Sequence, residues 1–171
     1  LEKLPINCFR LNFINKAFPE AKYIVIKRNP LEVAASIEEK IVKGNWYGVN
    51  DNKLRLLIEY AKSNNIETKD FLKTDFNKGL LEWRLSHIAI SKFFNESKKD
   101  FFSINYSNLT LNPKEILTEA FNFLEIKYNE EALINCCKLV YKNLRNKENI
   151  KNNIQNNQKE FLISEGFIQE K

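Results

Sequence analysis

The sequence predicts an α/β fold in which a parallel sheet is flanked by helices, and three observations lead there. The run Tyr23-Ile24-Val25-Ile26 is short, β-branched and bounded by charge, as a strand buried in a parallel sheet should be. It passes almost directly into a helix start. Asn29 is suited to accept hydrogen bonds from the free N–H groups of the next turn, Pro30 occupies a position where its missing N–H costs nothing, and Glu32 completes a capping-box spacing. A second apolar run, Phe101–Asn105, follows a long helical stretch. Helices alternating with such strands indicate a layered α/β chain. Two strands are few for a stable parallel sheet, so further strands are expected from a segment outside this chain.

The elements follow in order. A short helix is expected over residues 11–18, then the strand, then a helix over 30–42. Residues 43–78 are polar and less regular, with a helix over 53–63 and a mobile stretch after it. A long helix is expected over 80–95, ahead of the second strand. Pro113 opens a helix to Leu124 with Asn112 as its cap, another helix covers 130–141, and a short one closes the chain.

Composition narrows the class of protein. The 171 residues suit one domain, and 43% hydrophobic content is enough to bury a core. The net charge of +5, from 27 basic and 22 acidic residues, is a mild excess. It suits a polyanionic small molecule without requiring nucleic acid. No aromatic–basic cluster of the kind that grips nucleic acid is visible. Cys8, Cys136 and Cys137 do not form a disulfide framework, which favours a reducing, cytoplasmic setting. No signal peptide or membrane-crossing run is present in this sequence, and no metal site is expected.

The strand-to-helix junction is where chemistry is expected. In open α/β sheets, ligands bind outside the carboxyl ends of the strands. Arg28 stands there with a planar fork of donors suited to a phosphate. Ser36 lies seven residues after Asn29, close to two helical turns, and so on the same helix face. One anion alongside the helix is within reach of both. The residues alone leave a plainer reading open: a solvated arginine, and a serine bonded to a carbonyl one turn back.

The segment Arg28-Asn29-Pro30-Leu31-Glu32-Val33-Ala34-Ala35-Ser36 resembles the 3′-phosphate-binding motif of the sulfotransferases that use PAPS (3′-phosphoadenosine-5′-phosphosulfate). In that motif an arginine ends a strand and a serine follows eight residues later, as here. Glu2-Lys3-Leu4-Pro5 is similar to the family's Lys-x-Pro segment, and Phe18-Pro19-Glu20-Ala21-Lys22 to its lead into the strand. Tyr106-Ser107-Asn108-Leu109 is similar to its Tyr-Glu-Asp-Leu strand end. Asn112-Pro113, Phe121-Asn122-Phe123-Leu124 and the tail from Phe161 to Phe167 continue the match in the family's order.

The resemblance implies a P-loop-NTPase-like layered fold and transfer of a sulfuryl group from PAPS to a hydroxyl or amine, with no metal. It implies that Arg28 and Ser36 hold the 3′-phosphate, that Lys3 lies near the transferring group, and that Tyr106 contacts the adenine side. A basic segment containing Lys142, Arg145 and Lys147 is the candidate to close over the nucleotide. For Lys3 and Arg145 a solvated cation remains the alternative, and for Tyr106 a strand-end aromatic packed on a helix. His87 and the two tryptophans are read as structural or as pocket walls, and Asp70, Asp75 and Glu82 stay unassigned.

The family's phosphate-binding loop is not found. The four glycines, Gly44, Gly48, Gly79 and Gly166, form no G-x-x-x-x-G-K-[ST] pattern. Residues 1–171 are therefore expected to be the C-terminal portion of one sulfotransferase-like domain, with 43–78 a variable acceptor-side insertion. The alternative is a non-catalytic relative that lost the loop and binds a nucleotide or a partner.

Overall fold

The computed structural model describes residues 1–140 and 156–164. They form two strands, β1 (Tyr23–Lys27) and β2 (Phe101–Asn105), and eight helices. These are α1 (Leu11–Ala17), α2 (Pro30–Lys43), α3 (Asn52–Ser63), α4 (Asp75–Ser97), α5 (Tyr106–Leu111), α6 (Pro113–Leu124), α7 (Glu130–Lys138) and α8 (Asn156–Ser164). Short 3-10 turns lie at Pro5–Phe9, Val49–Asp51 and Lys69–Leu72. The fold is α/β: mostly helical, with a small parallel sheet. The described residues group into two compact units, one from residues 1–28 and 92–140, the other from 29–91 and 156–164.

The first unit contains the sheet. β1 and β2 pair in parallel, from Tyr23 opposite Phe101 to Lys27 opposite Asn105. In-register partners point to the same face. On one face Tyr23 meets Phe93 and Phe94 at ring-centroid separations of 5.6 and 5.5 Å, and Phe94 meets Phe101 at 4.2 Å. On the other, Phe102 stacks on Phe123 of α6 at 5.8 Å. Lys22, just before β1, donates to the Phe123 carbonyl and pairs with Glu125, tying the strand to the end of α6. The expected strand buried along its whole run is corrected. Tyr23 and Val25 are buried, but Ile26 is 54% exposed, so β1 has one fully covered face near its start and opens toward its carboxyl end.

In the second unit, α2 follows its cap as expected. Asn29 Oδ1 accepts from the N–H groups of Leu31 at 2.9 Å and Glu32 at 3.4 Å. Leu31, Ala34 and Ile37 are buried at helical spacing, as are Leu54, Leu57 and Ala61 of α3. α4 contributes Phe76, Leu80, Leu81 and Leu85 to this core. It begins at Asp75, earlier than expected. Thr74 Oγ1 accepts from the N–H of Asn77, whose buried side chain donates to the carbonyl of Asp70. Asn77 and Gly79 are weak helix formers, so local pattern placed the start too late.

Gly79 has a packing reason to be there. A Cβ at this position would lie 2.9 Å from the Cα and carbonyl oxygen of Ala34. The absent side chain lets α4 and α2 touch backbone to backbone.

Three further expectations change. The stretch after α3 is not irregular throughout, because burial of Phe71 organises a 3-10 turn. Asn112 stands at the start of α6 but makes no side-chain cap bond. The helix expected over 130–141 ends at Lys138.

Candidate functional site

The parallel register builds the site from the backbone upward. Because Lys27 pairs with Asn105, the next residues, Arg28 and Tyr106, stand side by side beyond the carboxyl ends of the two strands. The Arg28 guanidinium lies over the Tyr106 ring, 4.8 Å from its centroid, within the range of a cation–π contact. Both residues are half-buried.

Tyr106 is itself anchored. Asn105 Oδ1 accepts from the N–H groups of Ser107 at 2.9 Å and Asn108 at 3.4 Å, so β2 turns into α5 at once. Asn29 caps α2 with the same pair of distances. Sequence reading caught the Asn29 cap through Pro30 and Glu32 but missed Asn105. The signal was an asparagine ending an apolar strand, with no proline to flag the helix.

The remaining candidates are distributed. Ser36 lies midway along α2 in the second unit, half-buried. Lys3 is exposed, just ahead of the 3-10 turn at Pro5–Phe9. Arg145, with Lys142 and Lys147, lies outside the described residues. An open groove lined by Leu111, Asn112, Lys114, Ile134 and Cys137 in the first unit contains none of the candidates. Among the described residues no group of histidine, cysteine and carboxylate side chains is arranged to hold a metal ion. No helix of the described residues is long and apolar enough to cross a membrane.

The second unit holds a charged cluster that the sequence did not announce. The carboxylate of Glu82 is buried. It accepts from Trp46 Nε1 at 3.0 Å and from Lys53 Nζ at 2.6 Å. Lys40 and Lys53 each place an ammonium over the Trp46 ring, at 4.3 and 4.1 Å. Tyr47 is buried beside them, and its hydroxyl has no hydrogen-bond partner among the described residues. Burial first, then the charge of Glu82, pushes its pKa up and keeps the phenol neutral. Glu82 thereby gains a role as an anchor for the segment between α2 and α3. The separation of 29 residues between Lys53 and Glu82 carries no local signature. His87 stacks on Trp83 at 5.1 Å, with an interplanar angle of 6°.

The family model described as Sulfotransferase family matches residues 1–130 of the chain. No curated protein and no solved structure matches it. With most of its length matched, the chain belongs to the sulfotransferase family, and its function is of the sulfotransferase type.

Proposed function

We propose that this chain carries the 3′-phosphate-binding part of an enzyme that transfers a sulfuryl group from PAPS to a hydroxyl or amine acceptor. The observation that carries the reading is the half-buried Arg28, held over Tyr106 at the carboxyl end of a parallel strand pair. The residues fit a nucleotide phosphate. A guanidinium offers forked, permanently charged donors that match a phosphate, and the strand ends are where α/β sheets present ligands. Ser36 is the proposed second ligand of that phosphate, on the strength of the eight-residue spacing and the resemblance. Tyr106 belongs to the same site. Lys3 is proposed near the transferring group, Arg145 at the cover of the nucleotide, and residues 43–78 on the acceptor side of one domain spanning 1–171.

PAPS, when bound, supplies the sulfuryl group and a phosphate leaving group. The chain's contribution is to hold the nucleotide in register and offset its charge, which is most of what such in-line transfers require of a protein. A reducing compartment and the absence of a resident metal belong to the same proposal. The missing glycine-rich loop in residues 1–171 supports one competing reading, a non-catalytic sulfotransferase-like binding module. A sulfated product formed from radiolabelled PAPS by the protein separates the two.

The direct test is calorimetry with adenosine 3′,5′-bisphosphate. Arg28→Ala is expected to weaken binding at least about tenfold, the usual loss for a charge-assisted bidentate contact. Unchanged affinity rejects the assignment.

A further inference from the structure

We infer that the loop from Trp46 to Lys53 is a strap fastened by Glu82: it joins α2 to α3 in one preformed shape and opens by itself while the helices stay packed. The loop falls within residues 43–78, so its role as a movable wall on the acceptor side rests on the proposed function. The strap itself does not.

The neck of the loop is closed from α4. The N–H of Lys53 donates to the carbonyl of Tyr47 at 2.9 Å. Glu82 then bridges the two ends, one carboxylate oxygen accepting from Trp46 Nε1 and the other from Lys53 Nζ. Local capping does not complete the join, because Asp51, at the start of α3, makes no side-chain cap bond. Helices α2 and α5 begin on their own asparagine caps. The beginning of α3 is held instead through Lys53, by a residue 29 positions away.

The shape of the loop is written in its residue types. Its left-handed positions are Gly48, Asn50 and Asp51, at φ of 80°, 53° and 53°. Glycine, asparagine and aspartate are the types that enter that region most readily, and slack chain requires no such choice. Between them Val49 is 75% exposed, so the tip stands in solvent while the neck is held.

The fastened state holds two costs. Left-handed backbone at Asn50 and Asp51 is strained relative to the ordinary regions. The Tyr47 hydroxyl is buried without a hydrogen-bond partner among the described residues, and an unpaired buried hydroxyl is unfavourable. Opening relieves both. The two bonds to the Glu82 carboxylate oppose it, and bonds to an ionised acceptor are the stronger kind. A segment balanced in this way belongs to the low-stability end of a structure and opens ahead of global unfolding.

Amide hydrogen exchange by nuclear magnetic resonance on the full chain, repeated in low urea, tests the strap. The probes are the amides of Gly48, Asp51 and Lys53 and the indole N–H of Trp46. The reference is the amides of the buried residues Ile37 and Leu85, in α2 and α4. The loop set is expected to exchange at least about tenfold faster than the reference and to respond little to urea, because local opening exposes little surface. Glu82→Gln is expected to speed the loop set by about another tenfold or more, the usual effect of losing bonds to a charged acceptor. Trp46→Phe removes one of the two bonds and keeps a ring. It is expected to give about three- to tenfold, and it carries the test if Glu82→Gln does not fold. Tyr47→Phe is expected to act the other way, slowing the loop set by about threefold or more.

Loop amides that share the urea dependence of Ile37 and Leu85 open only with the helices, and overturn the strap. Unchanged loop exchange in Glu82→Gln, or in Trp46→Phe where that variant stands alone, overturns the fastening. Exchange not slowed in Tyr47→Phe overturns the stored cost. Calorimetry with adenosine 3′,5′-bisphosphate tests the role: Glu82→Gln is expected to bind within about twofold of the unsubstituted chain, and a larger loss moves the loop to the donor side and overturns the acceptor-side role. Failure of the unsubstituted chain to bind the bisphosphate defeats the proposed function and leaves the exchange result standing.

Discussion

Arg28 and Glu82 show how one charged side chain acquires its meaning from what it touches. The Arg28 guanidinium lies over an aromatic face at the end of a strand, a contact that itself brings no negative charge. Glu82 is buried and bonded to Lys53 and Trp46, so its charge is consumed internally. Glu38 of α2 is a third case. Burial, and then the negative charge of Asp75, raises its pKa above the ordinary carboxylate range. The folded chain therefore holds this proton more tightly than the unfolded chain does. Stability is undiminished by Glu38 below the ordinary carboxylate range and falls as pH rises through the elevated folded value. Glu38→Gln is expected to raise the melting temperature at neutral pH, with the gain disappearing on acidification below the usual carboxylate pKa. Melting curves across that window check it, and an equal gain at every pH would reject the electrostatic cause.

Helix starts and helix contacts are where elements were read well or badly. α2 was legible because Asn29, Pro30 and Glu32 are consecutive local signals for one event. α6 was legible for a similar reason, through Pro113, although its expected asparagine cap bond does not form. α4 was misplaced at its beginning because Asn77 and Gly79 argue locally against a helix, while their tertiary roles, a buried hydrogen bond and a close approach, argue for one. Gly79→Ala tests the second role. Helix propensity alone would favour the variant by about 1 kcal/mol. The added methyl would lie 2.9 Å from the Ala34 backbone, and relieving such overlap costs about 1–3 kcal/mol. The variant is expected to be net destabilised in urea unfolding. A more stable variant would show that α2 and α4 separate without cost.

At the scale of the molecule, binding and stability are linked. A ligand held only by the folded chain stabilises it by mass action, about 2.7 kcal/mol at a hundredfold excess over the dissociation constant. Adenosine 3′,5′-bisphosphate is accordingly expected to raise the melting temperature by several degrees, in a concentration-dependent way, and adenosine 5′-monophosphate by less. A melting temperature indifferent to the bisphosphate would count against the proposed ligand. The net charge of +5 favours such a polyanion over the whole surface, and the proposed function assigns the discrimination between the two nucleotides to Arg28.

Family membership and α/β class were readable from residue order alone, because ordered motifs, caps and strand composition are short-range patterns that survive without coordinates. The seating of Arg28 on Tyr106, the anchoring of Lys53 and Trp46 by Glu82, and the need for glycine at position 79 were decided only on folding. Each joins residues tens of positions apart, and contacts at that separation arise from strand register and helix packing, to which no local run of sequence refers.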